Sequence, residues 1–234
     1  MENHSNEEQH CNIGKHPKQD FQVERIAFFS DAVFAIVITL LVIEFKVPHI
    51  TDNSTFQDVC NQLFDLKYHF FAILFSFFLI ASYWSRHHFL FKYIHNYNKQ
   101  IIIANMLVLL PIIFFPFTTA FWAESFKNLY NDHYEIFTLG VMLFALNNFF
   151  AAMVLYIFYW TAIIKYKEMS YKIPTKERIG FVSNIWFMMT IFGVLFVITS
   201  ITNNPKIVAL VIWIVLALTI IFRKKIKNKL AENK

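Results

Sequence analysis

Asp31, His87 and His88 are the residues of this chain best placed to do chemistry, because each sits in a long apolar run where an ionisable side chain is costly. An aspartate and two histidines at one depth could relay protons or hold an ion. Enzyme chemistry finds no support beside them. The chain has no HExxH, no GxSxG and no paired carboxylates at membrane depth, so neither a nucleophile nor a metal centre is in sight, and no cofactor is called for. Asn147 and Asn148 read as helix-packing groups and not as a catalytic amide. Cys11 and Cys60 have no CxxC spacing and no ligand set around them, and Cys60 falls in an expected loop. His4, His10 and His16 could weakly hold a metal, but their polar surroundings read as a solvated tail.

The elements that must position these groups are membrane helices. Of 234 residues, 57% are hydrophobic and 16% charged, mean hydropathy is +0.45, and 29 phenylalanines stand against 4 glycines. Bulky apolar residues in unbroken runs exclude a transmembrane barrel, whose strands would alternate apolar and polar residues. Spanning about 30 Å of hydrocarbon takes roughly 20 helical residues. Six stretches qualify: Ile26–Val47, Tyr68–Ile94, Ile101–Trp122, Ile136–Ile164, Gly180–Ser200 and Ile207–Phe222. The expected organisation is a disordered cytoplasmic tail over 1–22, a six-helix membrane domain over 23–223 and a basic cytoplasmic tail over 224–234. The first apolar run is too long for a secretory signal and lacks a small-residue cleavage site, so it stays as a helix.

Orientation follows from the basic residues. With six spans, 17 of the 21 lysines and arginines fall on the side of the two termini, and only Lys46, Lys67, Lys127 and Lys206 fall opposite. Both termini are therefore expected to be cytoplasmic, in a multi-pass protein of the cell membrane. The formal charge of +5 is a product of this topology and calls for no nucleic-acid partner.

Depth groups the polar residues. Asp31 lies about 8 Å into the first helix at ~1.5 Å per residue. His87 and His88 reach the same level from the exit of the second helix, and Asn105 reaches it from the entry of the third. Ser30, Asp31, Trp84, Arg86, His87, His88 and Asn105 form one candidate layer, in which Trp84 and His88 are spaced to share a helix face. Either this layer moves protons, or it is hydrogen-bonded glue between helices. Angular position favours glue. Taking Ile36 as zero at about 100° per residue, Thr39, Leu40 and Ile43 fall within about 60° of it, while Asp31 sits roughly 140° away. If the Ile36 stripe lines a pathway, Asp31 points elsewhere.

The run Arg25-Ile-Ala-Phe-Phe-Ser30-Asp31, continuing to Pro48, resembles the R-x-x-x-F-S-D first helix of the transmembrane protein 175 potassium channels. Trp84-Ser-Arg-His87-His88, Asn105 and Phe115-Pro116-Phe117 resemble the same family. The resemblance implies a prokaryotic, single-repeat member: a homotetramer with six helices per subunit, its first helices lining a central potassium-conducting pore. Carried over, the constriction falls at Ile36, with Leu40 and Ile43 one and two turns outward and Thr39 beside them. Arg25, Ser30, Asp31, Trp84, His88 and Asn105 then form the polar network that holds the pore helices.

The sequence contains no TVGYG-like filter, and four widely spaced glycines cannot build one. Cation preference would have to come from a narrow apolar ring and from charge near the pore mouths. The competing function is a proton-coupled cation transporter using Asp31 and His87/His88. The chain shows neither an inverted repeat nor a pair of Gly/Pro-broken helices of the kind such transporters place at midplane; Pro111 and Pro116 share one helix.

Overall fold

The computed structural model describes residues 17–221 except 44, 46–49, 53, 130–133, 212, 215, 216, 219 and 220. The described residues are helical nearly throughout: α1 (Pro17–Ile43), α2 (Phe56–Asp65), α3 (Lys67–Phe91), α4 (Lys99–Ile113), α5 (Phe115–Ser125), α6 (Tyr134–Tyr159) and α7 (Thr175–Ile201). Five helical stretches are long and apolar enough to cross a membrane: Gln22–Ile43, Phe56–Phe91, Lys99–Ser125, Tyr134–Lys165 and Thr175–Ile201. Helix resumes over 205–211, where the sixth expected span begins, and six of the sixteen residues of Ile207–Phe222 lie outside the described residues. So do the basic C-terminal segment and Cys11, His4, His10 and His16.

Three boundaries differ from the sequence reading, each for a local reason. α1 starts at Pro17, inside the stretch read as tail, with the proline in the first turn where its missing N–H costs nothing. The loop expected after the first span contains α2, which places Cys60 on a helix. Its start is built by a capping box: the Thr55 backbone N–H donates to Asp58 at 2.9 Å, and the Asp58 N–H donates to Thr55 Oγ1 at 3.2 Å. The third span is two helices, broken at Phe114 between Pro111 and Pro116. A mid-helix proline removes a donor and leaves a carbonyl without its usual partner. Beside this break the Asn147 Nδ2 of α6 donates to the Pro111 carbonyl at 3.1 Å, which also accepts from the Phe114 N–H, and more weakly to Thr118 Oγ1 at 3.4 Å, so the kink is tied to α6.

α6 is the hub, packing against α4, α5 and α7, while α1 lies to one side, mainly against α3 and α4. In lipid there is no water to drive helices together, so close fit and polar bonds do the work. Ala145, Ala151 and Ala152 bring the hub close to its neighbours, and the rings of Phe115, Phe144 and Phe158 fill the space between. Ser76 and Thr119 join α3 to α5 at 2.7 Å, and the Tyr83 hydroxyl donates to the Asn148 carbonyl at 2.9 Å, joining α3 to α6.

Among the described residues, the basic loops after α3 and α6 meet at one end. They pair along Ile94 and Ser170, with the Tyr171 N–H donating to the Tyr93 carbonyl at 2.7 Å. Tyr97 reaches Gln22 near the start of α1. The Tyr93 hydroxyl donates to Glu177 of α7 at 2.7 Å, and that bond holds the phenol above its ordinary pKa. At the opposite end His69 Nε2 meets Glu124 at 3.2 Å and Glu124 meets Lys127 at 2.6 Å.

Gly140 of α6 marks a very close approach. A Cβ there would collide with the Ser125 side chain, 2.7 Å from its Cβ. We expect Gly140→Ala to cost about 1–3 kcal/mol by overpacking. Ser125→Gly in the same chain should recover much of the loss. Thermal melting of the detergent-solubilised protein checks both, and an unchanged midpoint in the single variant would refute the close approach.

Candidate pore helix and its polar anchor

α1 has two unlike faces. Val23, Ser30, Phe34, Val37 and Leu41 recur at helical spacing and are buried on the side that meets α3 and α4. On the other side Arg25, Phe29, Ile36, Thr39, Leu40 and Ile43 are all exposed. Ile36 is 58% exposed, Leu40 38% and Ile43 73%, so little within the subunit covers this apolar stripe. The Thr39 hydroxyl donates to the Ile36 carbonyl at 2.7 Å, which uses its O–H within its own helix.

The buried face is pinned by a short polar chain. His87 Nε2 bonds Asn105 Oδ1 at 2.7 Å, Asn105 Nδ2 donates to Ser30 Oγ at 2.9 Å, and Ser30 Oγ donates to the Ile26 carbonyl at 3.0 Å. Ser30, His87 and Asn105 are all fully buried. The rings of Phe34, Phe91 and Phe158 surround the imidazole, with centroids 5.5, 4.9 and 5.5 Å away. Three helices, α1, α3 and α4, are thereby tied at one point. A hydrogen bond shielded from water is stronger, and leaving one of its partners unpaired is correspondingly expensive.

A second bond lies toward the surface. Trp84 Nε1 donates to Asp31 Oδ1 at 2.8 Å, and the His88 ring stacks on Trp84 with centroids 5.5 Å apart. Asp31 is half-buried, and Trp84 and His88 are exposed in the single subunit.

The structure thus brings together Ser30 with Asn105 and His87, and Asp31 with Trp84 and His88. Two residues stand elsewhere: Arg25 of the network that the resemblance implied, and Arg86 of the expected layer. Arg25 is exposed on the Ile36 face, and among the described residues no hydrogen bond or ion pair joins it to Ser30, Asp31, Trp84, His88 or Asn105. Arg86 turns toward α7: its Nη1 donates to Ser82, in a groove shared with Glu177 and Asn184. The adjacent histidines part company because successive residues of a helix point about 100° apart. His87 continues the buried row Ser76, Ile80, Tyr83, Leu90, whose spacing was the sequence signal for its inward place.

Known proteins resemble this chain in sequence and in fold. Residues 25–116 match the family model described as the endosomal/lysosomal potassium channel TMEM175. A structure of a lysosomal potassium-selective channel TMEM175 homologue from Chamaesiphon minutus superposes with a TM-score of 0.65 at 26% identity, covering 88% of this chain and 98% of that one. Over residues 25–116 the chain is similar to the TMEM175 family in sequence, and over most of its length it is similar to that homologue in fold. The structure of a variant of the potassium channel MtTMEM175, in complex with a nanobody-MBP fusion protein, shares the fold with a TM-score of 0.63 at 20% identity, covering 92% of this chain and 99% of that one. Curated relatives named potassium channel include one from Chryseobacterium sp. (strain P1-3), 34% identical over 101 residues, and one from Chamaesiphon minutus, 39% identical over 108 residues. These alignments cover 43% and 46% of this chain and 49% and 52% of the relatives, so the TMEM175-like match spans about half of their length.

Asn105→Leu should leave Ser30 and His87 without their common partner, at about 1–3 kcal/mol for each buried group. Trp84→Phe removes a half-exposed bond and should cost much less. Thermal midpoints of the two purified variants test the ranking, which fails if Trp84→Phe proves the more damaging.

Proposed function

We propose that this chain is one subunit of a homotetrameric potassium-permeable leak channel of the cell membrane, with both termini cytoplasmic and no covalent chemistry. The observation that carries this reading is the division of α1 into an anchored polar-and-apolar face and an uncovered apolar stripe. Four copies of such a helix around an axis would bury the stripe in a central pathway. Ile36 would form the constriction, Leu40 and Ile43 the rings one and two turns outward, and Thr39 the hydroxyl beside them. The names of the relatives, all potassium channels, point the same way.

An apolar ring cannot replace an ion's hydration shell with carbonyl oxygens. It discriminates by the cost of stripping water, which is lower for potassium than for the smaller sodium ion. Selectivity should accordingly be modest. On this reading Ser30, Asn105 and Asp31 with Trp84 and His88 hold the pore helix from behind, and Arg25 belongs to the intersubunit side.

The transporter reading loses its wire. An amide neither takes up nor releases a proton in the physiological range, and Asn105 stands between His87 and Ser30, whose own bond ends on a backbone carbonyl. Nothing in the described residues links His87 to Asp31 through groups able to hand a proton along.

In proteoliposomes with a potassium gradient and no pH gradient, passive potassium flux is expected, and Ile36→Asn should change its rate and its sodium preference. Flux that appears only when a proton gradient is imposed would favour the transporter. A bi-ionic reversal potential showing near-perfect exclusion of sodium would refute the apolar-ring mechanism.

A further inference from the structure

The α6–α7 junction holds a feature unrelated to the pore helix. α6 ends in a π turn (Trp160–Lys165), followed by a short 3-10 turn (Lys167–Met169) and the start of α7. Between them lies a partly enclosed cavity of about 520 Å³, within the range of small-molecule sites. Lys167, Lys172 and Arg178 line it together with Ser170 and Thr175, and no acidic residue does. Among the described residues none of the three cations is in an ion pair. The nearby acids are Glu168, which does not line the cavity, and Glu177, engaged by the Tyr93 hydroxyl.

The start of α7 adds to this charge. Thr55 caps α2 and Asn98 caps α4, but α7 begins at Pro174 with no side-chain cap. The first-turn N–H groups of a 27-residue helix are therefore open to an acceptor at the cavity wall where Thr175 stands. Three convergent cations, two hydroxyls and an open helix start suit a phosphate group.

The other wall decides which kind of phosphate. Ile164 lines the cavity and is 43% exposed, and Trp160, one turn earlier, is 45% exposed. Both lie at the end of the Tyr134–Lys165 span, where aromatic residues mark the level of lipid headgroups. A soluble phosphate would leave this apolar wall bare, whereas acyl chains would cover it. We propose that the cavity binds the phosphate of an anionic phospholipid, with its acyl chains running along Ile164 and Trp160. The bound lipid would tie the α6–α7 loop, and through Tyr93 and Glu177 the end of α3, to the membrane surface. This site is independent of whether the pore reading holds.

The test is the thermal midpoint of the full chain in detergent, titrated with phosphatidylglycerol, phosphatidylcholine or inorganic phosphate. Phosphatidylglycerol should protect the wild type, and the other two should not. In the triple variant K167Q/K172Q/R178Q the apparent affinity for phosphatidylglycerol should fall about a hundredfold, at roughly one kcal/mol per basic residue. The charge-matched variant K224Q/K225Q/K227Q should keep it. Each single variant should lose about fivefold, which preserves the test if the triple variant does not fold. Equal protection by phosphatidylcholine, or an equal loss in the charge-matched variant, would overturn the site. Equal protection by inorganic phosphate would overturn the assignment to a lipid.

Discussion

The bond between Asn105 and its two partners is the constraint on which the arrangement of α1 depends. α1 sits at the side of the bundle, away from the hub helix α6. Its apolar residues are as content in lipid as against protein, so apolar contact alone would not choose which face turns inward. Ser30 makes that choice. With its hydroxyl fully buried beside Asn105 and His87, any large rotation of α1 would carry a polar group into hydrocarbon. Asp31 reinforces the same rotation from the neighbouring angle through Trp84. Fixing the inward face fixes the outward one, and the outward one is the Ile36 stripe.

The same economy of polar groups recurs through the bundle, where single bonds from hydroxyls and amides join two helices. Ser76 with Thr119, Tyr83 with the Asn148 carbonyl, and Asn147 with the Pro111 carbonyl are three instances. At the proline break between α4 and α5 the Asn147 amide adds a bond to the Pro111 carbonyl, which ties the kink to the hub helix. Aromatic rings fill what remains, with Trp122 stacked on Phe144 at 4.5 Å and Phe115 set edge-on to the same ring.

Much of this was legible in the sequence because membranes impose simple rules. Run length placed five spans, and depth counting brought Ser30, Asp31, Trp84, His87, His88 and Asn105 to one level before any contact was known. Angular counting separated Asp31 from the Ile36 face. What counting along one helix cannot supply is the direction of its neighbours. Arg86 stands at the right depth but faces α7, because rotation of α3 is set by Tyr83 and His87 on its buried side. α2 was missed because a short helix with polar residues on one side has the composition of a loop, although Thr55 and Asp58 carried its start signal. The pairing of the loops at Ile94 and Ser170 joins segments far apart in the chain and has no local signature.

If α1 is the pore helix, as proposed, the placement of its polar groups also bears on why it can be so apolar. A channel needs its lining fixed in rotation to within a fraction of a helical turn, yet a ring that screens ions by dehydration must offer them no bonding groups. These demands conflict if one face must meet both. In α1 they would be divided: hydrogen bonds on the buried face set the rotation, and the Ile36, Leu40 and Ile43 side chains carry no donor or acceptor, with Thr39 beside them keeping only its oxygen as an acceptor once its O–H is given to the Ile36 carbonyl. On that proposal, the division would account for why the costly residues of the first span, Ser30 and Asp31, lie off the stripe and toward one end. Placed on the stripe they would bind the passing ion; placed at midplane they would lack the partners that α3 and α4 offer near the basic end of the bundle.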